Sequence, residues 1–179
     1  MGCDVHFYIE YRCGNGMPWQ ADDHHVVNKH GSIASVSATG RNYNLFSLLA
    51  GVRGRSKGNF RRPLNLPDDV TDVIYKASEG WSTDAHSHSY MSLDEFKKVI
   101  FEEYNAATED HKFKPTKRKD AFWDYDDPAY SDFNKHPPDY TTLITYCEKL
   151  KEEKSLDKQI LGPDTTSEVQ VRLVFWFDN

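Results

Sequence analysis

The sequence contains no apolar run approaching the roughly 18 residues that cross a bilayer, so a membrane-spanning function is not expected. No basic stretch leads into an apolar one, so no secretory signal is expected. Cysteine is scarce: Cys3, Cys13 and Cys147 stand far apart, without CxxC spacing. An odd, scattered set argues against a disulfide framework or a cysteine zinc site and points to free thiols in a reducing compartment. The opening Met-Gly-Cys lacks the Ser or Thr that myristoylation wants, because His6 occupies that place. No Walker-type Gly-x-x-x-x-Gly-Lys-Ser/Thr is present. Acid is missing from one long window, since no Asp or Glu occurs from His24 to Pro67.

That window holds Lys29, Arg41, Arg53, Arg55, Lys57, Arg61 and Arg62. The remainder carries 15 cations and all 28 acids, a net −13 against −6 for the whole chain. A cationic segment in an acidic protein suits a small confined anion better than a long polyanion, so bulk nucleic-acid binding is not expected. The bland alternative is internal neutralisation of the basic segment by the acidic remainder.

The length of 179 residues suits a single domain over 1–179 with a real core. Mean hydropathy is low at −0.74, but 13% aromatic residues, each burying a large area, compensate in part. Residues 3–12 alternate, with Cys3, Val5, Phe7, Ile9 and Tyr11 on one side and Asp4, His6, Tyr8 and Glu10 on the other. This predicts a half-buried strand. Gly14-Asn15-Gly16 predicts a turn into a second strand near Trp19. The far end mirrors the start, with Val169, Val171, Leu173, Phe175 and Phe177 opposed to Gln170, Arg172, Trp176 and Asp178. Antiparallel pairing of these two strands would bring Asp178 near Asp4 and His6.

Three helices are expected. One covers about Tyr43–Val52. A second follows a capping box of Ser92 and Glu95 and carries Phe96, Val99, Ile100 and Tyr104. The third runs about Tyr140–Lys154, after Pro137-Pro138-Asp139. Residues 107–138 read as a long irregular excursion, with a basic run and then an acidic, aromatic stretch at 122–130. The expected fold class is α+β, a mainly antiparallel sheet containing both terminal strands, with the three helices packed on one face.

Two clusters carry candidate chemistry. Asp4-x-His6 opens the chain, and Asp84-x-His86-x-His88 lies near its middle. Side chains two apart on an extended backbone share a side. Carboxylate and imidazole suit a divalent metal, zinc or manganese, with Asp4, His6, His86 and His88 as ligands. Asp84 or Asp178 would orient a ligand histidine or act as general base. The bland reading of His86 and His88 is a loop before the Ser92 cap. The segment Arg41-Asn-Tyr-Asn-Leu-Phe offers Arg41, Asn42 and Tyr43 to a ligand at a helix N-terminus, and Arg53 follows the helix. Arg61 and Arg62 read instead as solvated flanking arginines, and Asp22-Asp-His-His25 as surface.

The opening Met-Gly-Cys-Asp-Val-His, the block Arg41-Asn-Tyr-x-Leu-Phe-x-x-Leu-Ala-Gly-Val-Arg53, Asp84-Ala-His-Ser-His-Ser89 and the ending Val171–Asn179 resemble a family of small uncharacterised tailed-bacteriophage proteins. The matching blocks span both ends and the middle, and leave out 107–138. The resemblance implies the cytoplasm of an infected bacterium and supplies no catalytic residue. The residues themselves point to recognition of a small phosphorylated ligand, a nucleotide above all, with metal-dependent hydrolysis as one mechanism. The alternatives are an anti-defence sponge that sequesters a host signalling nucleotide without turnover, and a protein–protein inhibitor using the loop at 122–130. The sequence sets no oligomeric state.

Overall fold

The structure, a computed structural model, describes residues 2–22, 36–37, 43–53, 61–104, 140–161 and 168–178. The excursion expected at 107–138 lies outside the described residues. In chain order the elements are β1 (Val5–Arg12), β2 (Gln20–Ala21), β3 (Val36–Ser37), α1 (Tyr43–Ala50), α2 (Asp72–Trp81), β4 (His86–Ser92), α3 (Leu93–Lys98), α4 (Tyr140–Leu161) and β5 (Gln170–Phe177). A π-helical stretch, Val99–Tyr104, continues α3.

The strands form one antiparallel sheet in the order β2-β1-β5-β4, with β3 also paired to β1. The two terminal strands pair along their whole length, Val5 opposite Phe177 and Arg12 opposite Gln170. Their alternation decides which side chains share a face. Cys3, Val5, Phe7 and Ile9 join Val171, Leu173, Phe175 and Phe177 on one side. There they meet Leu45, Phe46 and Leu49 of α1, Phe96 of α3, Val99 and Ile100 of the π-helical stretch, and Leu143, Cys147 and Leu150 of α4. Fully buried phenylalanines such as Phe7, Phe46, Phe96 and Phe175 dominate this core. Each buries enough apolar area to contribute roughly 1.5–3 kcal/mol.

The cap of α3 is as the sequence predicts. Glu95 N–H donates to Ser92 Oγ at 3.2 Å, and Ser92 N–H donates to Glu95 Oε2 at 2.9 Å. The one-sided helix layer is corrected. A further helix, α2, packs on the opposite face, where Ile74 meets Tyr8, Val174 and Trp176. Its apolar stripe is narrow, with Ile74, Ala77 and Trp81 turned to the sheet among exposed Asp72, Tyr75, Lys76 and Glu79.

An ion network fixes the approach to α2. Glu10, fully buried, accepts from Arg172 Nε at 2.6 Å and from Thr71 N–H at 2.7 Å. Arg172 Nη1 also donates to Asp69 at 2.6 Å, and Trp19 Nε1–H donates to the same carboxylate at 3.0 Å. Burial works to raise the Asp69 carboxyl, but hydrogen bonds and charge from Arg172 outweigh it and hold Asp69 below its ordinary value. No helix among the described residues is long and apolar enough to cross a membrane.

Candidate functional site

The pairing of β1 with β5 brings the first candidate cluster together at one end of the sheet. Asp178 N–H donates to Asp4 O at 3.1 Å, and Asp4 N–H donates to Asp178 Oδ1 at 2.8 Å. The second carboxylate oxygen of Asp178 lies 3.1 Å from His6 Nε2. Asp178 therefore sits beside Asp4 and His6, the neighbourhood expected from antiparallel pairing of the terminal strands in this register. The His6 ring is buried against Trp81 of α2, with ring centroids 4.2 Å apart. Asp84 follows three residues later, exposed in a short 3₁₀ turn that leads into β4.

The other side of the same sheet end holds Cys3 and Arg53. Burial raises the Cys3 thiol above its ordinary value; a hydrogen bond and charge from Arg53 pull it the other way, and the charges of Asp178 and Asp4 add to the rise. Arg53 is thus in hydrogen-bonding contact with the buried Cys3 thiol, and the two carboxylates act on that thiol through their charge. The Arg53 guanidinium also lies 5.9 Å from the centroid of the Tyr43 ring. Arg41 and Asn42 precede Tyr43 and lie outside the described residues.

The second cluster is rearranged. His86–Ser92 form a strand, not a loop, because tertiary pairing with β5 overrides their polar composition. His86 stands opposite Phe177 and Ser89 opposite Phe175, with a bulge between them. Phe175 and Phe177 share a face, so the extra residue turns His88 to the other one. The expectation that His86 and His88 share a side is thereby corrected. His86 stacks on Phe177 at 6.2 Å, whereas His88 packs on Trp176 at 5.4 Å. His88 Nε2 is engaged by Ser78 Oγ of α2 at 2.8 Å. His86 Nδ1 lies 2.9 Å from Ser87 Oγ, and its Nε2 is buried without a hydrogen-bond partner.

The set Asp4, His6, His86 and His88 is therefore split between two faces. Among the described residues, no group of three or more His, Cys, Asp or Glu is arranged to hold a metal ion.

Backbone strain gathers in the same region. Arg53 (φ 54°), Ser82 (φ 51°) and Ser87 (φ 54°), like Asn65 (φ 66°), have positive φ without being glycine. Arg53 touches Cys3, Ser82 follows the Trp81 that stacks on His6, and Ser87 is the bulge. Each such residue costs on the order of 1–3 kcal/mol and persists only where the surroundings enforce it.

Burial holds the His88 imidazole below the ordinary histidine value of 6.5, and the charge of His86 adds to the effect. A depressed histidine is neutral in the folded state and gains a proton more readily when unfolded. Its stabilising contribution is complete above the unfolded value and is lost as pH falls through the folded one. Urea unfolding between pH 7.5 and 5 is thus expected to show a stability loss that His88→Gln diminishes.

Sequence reasoning misplaced other residues. Asp22, read as surface, is buried and accepts a hydrogen bond from Tyr146 Oη. Arg61, read as solvated, makes a two-pronged ion pair with Glu103 at 2.6 and 2.9 Å, so the basic window is neutralised at that point.

Two clefts lined by described residues lie at the opposite end of the sheet, around Arg12 and Trp19, with volumes of about 570 and 350 Å³. Charges there pair with one another, Arg172 with Asp69 at 2.6 Å and Lys151 with Glu168 at 2.6 Å. The Asp4–His6–Asp178 end is preferred as the candidate site because titratable groups, an arginine and strained backbone converge there. Comparison of the chain with protein-family models, curated proteins and solved structures finds no match.

Proposed function

We propose that the chain recognises a small phosphorylated ligand, a nucleotide being the class that fits, at the end of the sheet that Asp4, His6 and Asp178 border on one side and Arg53 and His86 on the other. The observation that carries this reading is that Arg53, hydrogen-bonded to Cys3, lies at the sheet end where Asp178 bonds Asp4 and His6. Each group has a matching role. A guanidinium fork fits phosphate oxygens. Carboxylates accept from sugar hydroxyls. Trp81 and Tyr43 offer aromatic surface for a base. The acid-free window that ends in the sequence at Pro67 supplies Arg53 itself, and places Arg41 and Asn42 next to Tyr43.

Binding without turnover is the simplest form of this reading and agrees with a sponge for a signalling nucleotide. The resemblance to bacteriophage proteins favours a host nucleotide as the ligand. Metal-dependent hydrolysis has one observation in its favour. The Asp178 carboxylate meets His6 as an outer-shell carboxylate meets a metal-bound imidazole. Asp84 would then be the general base, with substrate oxygens completing the coordination.

A nucleotide panel in a thermal-shift assay tests the proposal. At least one nucleotide at a hundredfold excess over its dissociation constant adds about 2.7 kcal/mol to stability. Arg53→Ala is expected to weaken that binding by at least tenfold, with the unliganded protein still folded. A full panel without a shift would sink the reading. Zinc or manganese at one ion per chain, required for the shift, would favour the hydrolytic form.

A further inference from the structure

Ser87 combines a strained backbone with a hydroxyl–imidazole contact. It is half-buried at the start of β4, in the left-handed region at φ 54°, within the bulge between His86 and Ser89. Serine has no special tolerance of that region, unlike glycine or asparagine. Its hydroxyl lies 2.9 Å from His86 Nδ1, and the other nitrogen of that imidazole is buried without a partner. A hydroxyl on a strained turn, within reach of an imidazole, is the arrangement that presents and activates a nucleophile. A bulge is also the usual device for re-aiming a side chain beside a reaction centre.

The geometry points to Ser87 as a nucleophile and His86 as its base, acting on the phosphorus of a phosphate ester bound at the same sheet end. The substrate class rests on the phosphorylated-ligand reading above. Ser87 Oγ bonds to phosphorus as the bond from phosphorus to the ester oxygen breaks. The Ser87 proton passes to His86 Nδ1 and then to the departing alkoxide. Water next attacks the phosphoserine and loses its proton to His86 Nδ1. The bond from phosphorus to Oγ breaks, and the proton returns to Oγ. The sum is ester plus water giving alcohol plus phosphate, with no metal or redox partner. The other serine–imidazole pair, Ser78 with His88, lacks the strained backbone, since Ser78 lies within α2.

Full-length protein treated with a fluorophosphonate probe, followed by peptide mass spectrometry, tests the assignment. One adduct per chain is expected on Ser87, forming at least tenfold more slowly in His86→Gln and absent in Ser87→Gly. Glycine is at ease at this φ, so Ser87→Gly is expected to melt at the same temperature or up to about 4 °C higher. A hydroxyl kept for structure would give a lower melting temperature instead. No adduct, an adduct on Ser78, or a destabilised Ser87→Gly each overturns the proposal. Nucleotide binding measured in parallel separates the two readings. Binding without an adduct removes the nucleophile alone; an adduct without nucleotide binding removes the ligand class alone.

Discussion

Arg172→Ala is expected to destabilise the protein by about 3–5 kcal/mol, the cost of leaving a buried charge unpaired. Glu10 is fully buried, and Arg172 is its charged partner at 2.6 Å. Without the guanidinium, the Glu10 carboxylate keeps only the Thr71 N–H among the hydrogen bonds described above. Asp69 also loses its cation, and the segment entering α2 loses its tether to the sheet. For a chain of this length the melting temperature should fall by roughly 6–20 °C. Replacing both charges, as in Glu10→Leu with Arg172→Met, should restore much of the loss, because no buried charge is then stranded. Salt should matter little to this pair. The more exposed Lys97–Glu148 pair, at 2.5 Å, should weaken as ionic strength rises. A double-mutant cycle in urea decides the matter, and additive single losses would contradict the coupling.

Phe7→Ala is expected to cost about 3–5 kcal/mol through a different mechanism, a cavity in the main core. Phe7 is fully buried in the central pairing of β1 with β5. Its ring lies 5.5 Å from Phe96, 6.3 Å from Tyr140 and 5.4 Å from Phe175, so α3, α4 and the sheet all lose contacts at once. Phe7→Leu fills most of the space and should cost less. The urea midpoint should fall with an unchanged slope, since the amount of surface exposed on unfolding hardly alters. A cost under about 1 kcal/mol would mean that the helices do not close on this ring.

The terminal strands were legible because apolar residues occupy every second position of both, although Val174 and Trp176 make the other face of β5 apolar as well. Their pairing made Asp178 a candidate neighbour of Asp4 and His6, but a slip of two residues keeps every face, so the register that also sets Glu10 opposite Arg172 was not legible. The Ser92–Glu95 box was legible because capping is a local interaction. β4 was not, because His-Ser-His-Ser-Tyr-Met-Ser has little strand character of its own and is extended by its neighbour β5. The bulge at Ser87 left no mark in the sequence, and it decides that His86 and His88 part company. α2 left a signal in Ile74, Ala77 and Trp81 at helical spacing, but exposed polar residues and Gly80 dilute it. Asp22 is buried by Tyr146, a residue 124 positions away, and no local pattern announces such a partner.

Ligand is expected at the sheet end bordered by Asp4, His6, Arg53 and Asp178, not in the clefts around Arg12 and Trp19. The most direct measurement is a backbone amide map by NMR during titration with the nucleotide of largest thermal shift. Shifts are expected to concentrate at Cys3 to His6, Arg53, His86, Ser87 and Asp178. Shifts concentrated at Arg12, Trp19 and the start of α2 would contradict it.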